Sequence, residues 1–363
     1  MKKKILNIVQ YLIFFGIGGG ILIYFYHQQE VAYIDQCRID GIPAAQCSLW
    51  DKLVKDFLSV DVFWMSMVLL AFTVSNISRA IRWNMLIREL GYKPRARNAF
   101  FAVMISYLAN LLMSRAGEVV RAGYMAKYEK ISTSKVMGTV IVDRILDVIS
   151  LGLVVGLAFL LEFDTYWTYL KAQISKKDLT DGFWTNPIFL VLVAMVLTVG
   201  LLLYLNRHHF RHLNIYQQVK TSVHSMWEGF KTVKYVDKPV AFIFHSLNIW
   251  VMYFLMTWCC FSAFAPTEHL TLIAALTVFV FGSFGMVIPS PGGMGTYHVL
   301  CVAALSIYGI SKSDAFSFAN IIFFSINLFC NIFMGALSLI LMPIVNRGYQ
   351  PEPVGKAVVE TMY

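Results

Sequence analysis

Residues 114–121 read SRAGEVVR. They follow the apolar run AFFAVMISYLANLLM at 99–113 and precede another at 136–161. Two arginines and a glutamate therefore stand where a membrane protein tolerates charge least. Whether they form a loop between two spans or a working part of the molecule decides how the chain is threaded.

The surrounding composition makes the membrane setting plain. The 363 residues are 58% hydrophobic and only 14% charged, and the mean hydropathy is +0.63, outside the range of a soluble domain. The expected fold is an all-α polytopic membrane protein. Six runs approach or exceed the roughly 20 apolar residues that a transmembrane helix needs: 5–26, 62–78, 136–161, 187–205, 240–264 and 316–345. Three more are short or interrupted: 99–113, 270–288 and 297–310. The first run follows Lys2, Lys3 and Lys4 but is too long for a signal-peptide core and reads as a retained anchor. The formal charge of +9 collects at the ends of apolar runs, which points to topology rather than nucleic-acid binding.

Applied loop by loop, the positive-inside rule places 27–56 outside the cytoplasm, with Glu30, Asp35, Asp40, Asp51 and Asp56 outnumbering Arg38, Lys52 and Lys55. The next loop, with Arg79, Arg82, Arg88, Lys93, Arg95 and Arg97, is inside. If 99–113 then crossed the membrane, Arg115, Arg121, Lys127, Lys130 and Lys135 would lie outside and every later loop would carry the wrong sign. The expectation is therefore that 99–135 is a re-entrant element. A second irregular stretch, FGMVIPSPGGMGTYHVL at 284–300, has two prolines, breaks any helix, and contains no Lys, Arg, Asp or Glu. Irregular backbone at membrane depth is tolerated where it lines a cavity or is buried in protein. The chain thus reads as a single transmembrane domain, 1–363, with an extracytoplasmic loop at 27–56, a broken Gly/Pro element at 270–310 and a cytoplasmic tail at 346–363. Six full helices and two re-entrant or broken elements, one in each half, suggest an inverted repeat and a transporter's binding site between them. Both termini are expected in the cytoplasm, and the compartment is expected to be a bacterial inner membrane.

Charge inside the apolar runs marks candidate functional residues. VIVDRILDVISL, 140–151, spaces Asp143 and Asp147 at i,i+4 and Arg144 and Asp147 at i,i+3, so all three can share one inward face of a helix and form ion pairs. They could serve a substrate or proton pathway, or simply lock helices together. In SRAGEVVR, Arg115, Glu118 and Arg121 recur every third residue and share one side of a helix. A helix start bearing two guanidinium forks suits a phosphate group. Read otherwise, the arginines would snorkel to headgroups. His298 is the side chain near the glycine break that titrates near neutral pH. His208, His209 and His212 lack a carboxylate or cysteine partner, so no metal site is expected. Cys37 and Cys47 lie in one polar segment, DQCRIDGIPAAQC, and are candidates for a disulfide if that segment meets an oxidising compartment. The four other cysteines, at 259, 260, 301 and 330, read as small buried hydrophobes.

Four segments in order resemble the flippase-like membrane region of lysylphosphatidylglycerol synthase and its stand-alone UPF0104 relatives. They are RW at Arg82 and Trp83; NLLMSRAGEVVR, beginning at Asn110; DRILD at 143–147; and PSPGGMG at 289–295. The proline that usually precedes the arginine-glycine-glutamate motif is absent, and His298 replaces the acid that commonly follows the glycines. The resemblance implies movement of an anionic or modified phospholipid, or a polyprenyl-phosphate lipid, between leaflets. It brings Asn110, Arg82, Pro289, Pro291, Gly292, Gly293 and Gly295 into the candidate site beside the charged residues. Arg115 and Arg121 would hold the phosphate, and the glycines would give the opposing backbone its mobility. No cofactor is implied, no P-loop motif is present for ATP, and the expected partners are membrane lipids with anionic headgroups, with a homo-oligomer or a lipid-biosynthesis enzyme as the protein partner. An enzyme acting on a lipid-linked phosphate or sugar, and a lipid-binding accessory subunit that transports nothing, are the alternatives.

Overall fold

The structure is a computed structural model that describes residues 20, 23, 24, 26–31, 33, 34, 37, 38, 47–112, 116–168, 236–288 and 293–351. The chain divides into two units, 1–158 with 235–363, and 159–234. Among the described residues of the smaller unit, the Phe163 and Trp167 rings stack at 6.2 Å.

Among the described residues every regular element is helical. The elements are α1 (Leu49–Leu58), α2 (Val62–Arg88), α3 (Ala96–Leu112), α4 (Ala116–Glu129), α5 (Thr133–Leu161), α6 (Pro239–Ala263), α7 (Leu272–Val287), α8 (Thr296–Ile307), α9 (Lys312–Ile322) and α10 (Asn331–Val345). A π-helical stretch, Phe323–Cys330, joins α9 to α10 into one 34-residue span. That span, α2, α5 and α6 are the four described helices long and apolar enough to cross a membrane. Of the two further runs expected to span, 187–205 lies outside the described residues and 5–26 lies largely outside them.

Local sequence explains the element ends. Asp61 caps α2 by accepting the Trp64 N–H at 3.1 Å, Thr271 caps α7 through Ala274, and Ser311 caps α9 through Asp314. Pro239 opens α6, where its missing N–H is harmless. Leu153, Leu157, Leu160, Phe244, Leu247 and Ile340 point outward and are exposed. In a bilayer such faces meet hydrocarbon at no cost.

The pair α2 and α6 forms the antiparallel spine. Asp61 N–H bonds Ala263 C=O at one end, Ser75 Oγ bonds Ile249 C=O midway, and Glu89 accepts the Asp237 N–H at the other end. The helices α3 and α4 form a hairpin that returns to the end from which it left. Glu129, at the close of α4, accepts hydrogen bonds from Arg95 N–H and Asn98 Nδ2, at the start of α3, at 3.1 and 2.6 Å. At the other extremity Gly117 packs against Ser106 and Asn110, where a Cβ would come within 2.6 Å of the Asn110 amide. Asn346, just past α10, exchanges hydrogen bonds with Asn98, so the first hairpin opens at the Arg88 end of the spine.

A second hairpin, α7 with α8, opens at the opposite end. It leaves from beside Ala263 and returns to α9, whose Asp314 pairs with Lys52 of α1. Close approach is again made by glycine: a Cβ on Gly285 would meet the Tyr297 Cα at 2.6 Å. Tyr308 Oη donates to Thr277 at 2.7 Å near the hairpin's base. Its turn contains Gly293 and Gly295, at φ of 81° and 83°, which only glycine adopts cheaply. Two hairpins thus enter the spine from opposite ends; the charges of the sequence do not decide whether 270–310 doubles back or crosses twice.

Cys37 and Cys47 are joined, with Cα atoms 6.3 Å apart. The link sits directly before Ser48, which caps α1.

Candidate functional site

The sequence boundary of the second apolar run needs correction. The run was expected to end at 78, leaving Arg79 and Arg82 in a basic loop, but α2 continues unbroken to Arg88. Both arginines are therefore buried inside the helix, 3% and 0% exposed. Such charges persist in an interior only when paired and hydrogen-bonded, and α5 supplies the partners one turn apart. Arg82 bonds Asp143 through Nη2 and Nε at 2.6 and 3.0 Å and Asp147 through Nη2 at 2.7 Å. Arg79 bonds Asp147 at 2.7 Å and approaches Asp143 at 3.6 Å.

Arg121, from the first hairpin, adds a third guanidinium. It is buried, bonds Asp143 at 2.8 Å and stacks on the Trp83 ring at 3.8 Å. Trp83 is itself fixed by a hydrogen bond to Thr139 at 3.0 Å. Three elements, α2, α4 and α5, thus converge on two aspartates. The apolar patterning of α5 does not make that junction, because most of its outer half is exposed; the ion cluster does.

Arg144 behaves differently. It lies one residue from Asp143 and so about 100° around the helix, and its side chain is 39% exposed. Its Nη2 meets Glu118 at 2.9 Å, while Nη1 lies 3.7 Å from Asp147. Asp143, Arg144 and Asp147 therefore share one face only in part: Asp143 points into the protein, Asp147 reaches both the cluster and the cavity wall, and Arg144 points out of the cluster toward the cavity.

What Arg144 and Glu118 face is a cavity of about 580 Å³, within the usual size for a small-molecule site. Asn110 and Glu118 of the first hairpin, Met286 and Gly293 of the second, and Asn327 of the π-helical stretch all line it. Arg79 and Asp147 reach its wall, as do the aromatic residues Tyr107, Trp250 and Tyr253. Arg79 donates to Tyr253 Oη at 3.3 Å, and the Tyr107 and Tyr253 hydroxyls lie 3.3 Å apart. Several buried polar atoms of the wall have no partner: Arg79 Nε, Arg144 Nε, Glu118 Oε2, Trp250 Nε1 and Asn331 Oδ1.

The expected site residues that the structure describes separate into three groups. Asn110, Glu118, Arg144, Asp147 and Gly293 line the cavity. Arg82, Arg121 and Asp143 lie behind it, with every charge paired within the cluster. His298 is fully buried elsewhere, its ring 4.8 Å from Phe323 and 6.0 Å from Phe316, while Gly295 precedes α8 as its N-cap. Arg115, Pro289, Pro291 and Gly292 lie outside the described residues. The cluster His208, His209 and His212 does too. Among the described residues no group of three metal-ligating side chains comes together.

Sequence reasoning missed Arg79, Tyr107, Trp250 and Tyr253. Arg79 carried a usable signal: it precedes Arg82 by three residues, on the same face of a helix that need not stop at Ser78. The aromatic residues carried none, being unremarkable members of apolar runs.

Comparison with known proteins gives one family, described as lysylphosphatidylglycerol synthase TM region, matching residues 47–333. A UPF0104 membrane protein of Methanocaldococcus jannaschii is 23% identical over 278 residues, covering 73% of this chain and 81% of its own. One from Methanothermobacter thermautotrophicus is 26% identical, covering 64% and 72%. Another, from Pyrococcus horikoshii, is 25% identical, covering 77% and 88%. No solved structure matches the chain.

Proposed function

Because the chain belongs to the family of the lysylphosphatidylglycerol synthase transmembrane region, we propose that it carries an anionic or modified lipid between the two leaflets. The observation that carries this reading is the cavity between the oppositely entering hairpins, where Arg79 and Arg144 reach a wall that combines Glu118, Asp147 and amide side chains with apolar and aromatic ones. A lipid crossing a bilayer needs shelter only for its headgroup, since its acyl chains are at home in hydrocarbon. Arginine forks match phosphate oxygens in pairs, and Phe72, Val148, Leu151, Val287 and Ile288 supply apolar walls for the tails.

In this reading Arg144 and Arg79 contact the phosphate. Arg121, whose charge is spent on Asp143, is a positioning residue that holds the first hairpin against α5. The basic residues Arg88, Lys93, Arg97, Lys127 and Lys130 lie at the end where the first hairpin opens, and by the positive-inside rule this supports a cytoplasmic position for that end. Both termini then lie in the cytoplasm, and the membrane is the cytoplasmic one, the inner membrane in a bacterium.

Purified protein in liposomes containing fluorescent phosphatidylglycerol provides the test. The expected result is exchange of the probe between leaflets, lost in Arg144→Ala while the variant unfolds at an unchanged temperature. Chemical conversion of the lipid without exchange would overturn transport in favour of an enzyme, and binding without either would leave an accessory lipid-binding protein.

A further inference from the structure

Seven ionisable groups surround the cavity's polar wall, and they are not equally committed. Arg79, Arg82, Arg121, Asp143 and Asp147 form a lattice in which each aspartate is shared among two or more arginines and the side chains are at most 13% exposed. Removing any one of these strands a charge in the interior. Glu118 and Arg144 are bound chiefly to each other, at 2.9 Å, with side chains 27% and 39% exposed. Glu118 Oε2 has no hydrogen-bond partner, and neither has Arg144 Nε.

The two residues also sit on different elements. Glu118 is in the first turn of α4, beside the tip of the first hairpin, and Arg144 is on α5. Their bond therefore spans the cavity wall between a hairpin tip and a long helix. Among the described groups, four arginines face three carboxylates, so the wall retains one positive charge when all are ionised. An anion entering the cavity meets that surplus at Arg144, the most exposed of the four.

We infer that Glu118 is a displaceable counter-ion: it occupies against Arg144 the place that a lipid phosphate takes, so that binding exchanges one anion for the other and frees the first turn of α4 from α5. This rests on the proposed lipid-binding role of the cavity and adds its regulation. Arg144 has the geometry for the exchange, since a guanidinium presents several donors in one plane and can pass from one oxygen to the next without losing all its bonds. Glu118 at a helix start is stabilised by the adjacent peptide dipoles and so tolerates losing its partner better than an interior carboxylate. The lattice behind it keeps its own pairs throughout and holds α5 still.

The exchange makes removal of an acidic residue strengthen the binding of an anion, which no purely structural brace would do. The test is binding of dihexanoyl phosphatidylglycerol to the detergent-solubilised full chain, with glycerol 3-phosphate in a parallel titration and the thermal unfolding midpoint recorded for each variant. Glu118→Gln is expected to bind the short-chain lipid about fivefold more tightly than the unaltered protein, the upper range for releasing a partly exposed ion pair. Arg144→Gln is expected to weaken binding about tenfold, the scale of one charge-assisted hydrogen bond. In the double variant the gain from Glu118→Gln is expected to vanish, because Glu118 acts through Arg144. A gain with the lipid alone assigns the exchange to a membrane-borne headgroup, and a gain with both ligands assigns it to the phosphate group itself. Unchanged or weaker binding in Glu118→Gln, or a gain that persists without Arg144, overturns the inference. If Glu118→Gln does not fold, Glu118→Asp, whose shorter reach also loosens the pair, is expected to tighten binding, and its failure to do so counts equally against the exchange. Lipid exchange in liposomes is scored separately: tightened binding with no transport would sink the transport reading and leave the counter-ion exchange standing.

Discussion

The two hairpins meet at one cavity but are held by opposite means. The first, α3 and α4, is tied down electrostatically: Arg121 reaches Asp143, Glu118 reaches Arg144, and Glu129 gathers hydrogen bonds from Arg95, Asn98 and Tyr349. The second, α7 and α8, has no Lys, Arg, Asp or Glu from Leu272 to Ile307 and is held by backbone proximity at Gly282 and Gly285 against Tyr297. A polar tie has alternative partners and can be exchanged. A steric fit has one partner and fails by overlap. In the proposed role the first hairpin would respond to a ligand's charge and the second would set the shape of the space.

The largest expected effect comes from breaking the lattice under the first hairpin. Asp143→Ala leaves Arg82 and Arg121 buried without their shared counter-ion, and about 3–5 kcal/mol of stability should be lost. Chemical denaturation in detergent would show it, and a loss below about 1 kcal/mol would mean that water reaches the cluster. The corresponding break in the second hairpin is Gly285→Ala. The added methyl meets the Tyr297 backbone, so a cost of about 1–3 kcal/mol is expected. Salt distinguishes the hairpins further: raising ionic strength should weaken the partly exposed Glu118–Arg144 tie while leaving the Gly285 contact untouched.

The smallest effect lies at α1, which is not among the four described helices long and apolar enough to cross a membrane. Lys52 of α1 bonds Asp56 and Asp314, and although burial opposes its charge, those bonds raise its pKa above the ordinary lysine value. A raised folded-state value stabilises fully below the unfolded pKa, about 10.4, and fades as pH rises through the folded one. Lys52→Met should therefore cost roughly 1 kcal/mol or less at neutral pH, and the difference from the unaltered protein should shrink only in strongly alkaline solution. A difference that disappears near pH 7 would show that the pair contributes nothing.

Much of this could be read before any coordinates existed, for identifiable reasons. That the chain doubles back after residue 112 follows from the signs of the charges flanking it, because charge at span ends is governed by topology. That Glu118, Arg121, Asp143, Arg144 and Asp147 stand out in the sequence follows from the cost of placing charge in apolar runs. Their partition was not legible: whether an arginine is spent on a neighbour or free for a ligand depends on which helices cross, which no spacing records. The end of α2 was misplaced because Arg79 and Arg82 look like loop residues until Asp143 and Asp147 are known to face them. His298 looked poised beside the glycine break, but the following helix turns it toward Phe316 and Phe323 instead.

The π-helical stretch between α9 and α10 has one more consequence. Each wider turn takes in an extra residue, and one residue corresponds to about 100° of rotation in a regular helix. The insertion shifts the phase of everything beyond it. As a result, Phe316 and Phe318 above the stretch face α8 and α6, while Gly335 below it turns its bare Cα toward Leu108 and Met104 of the first hairpin. A single continuous span thereby keeps register with two hairpins that arrive from opposite ends, and one deleted residue in Phe323–Cys330 would leave it matched to only one of them.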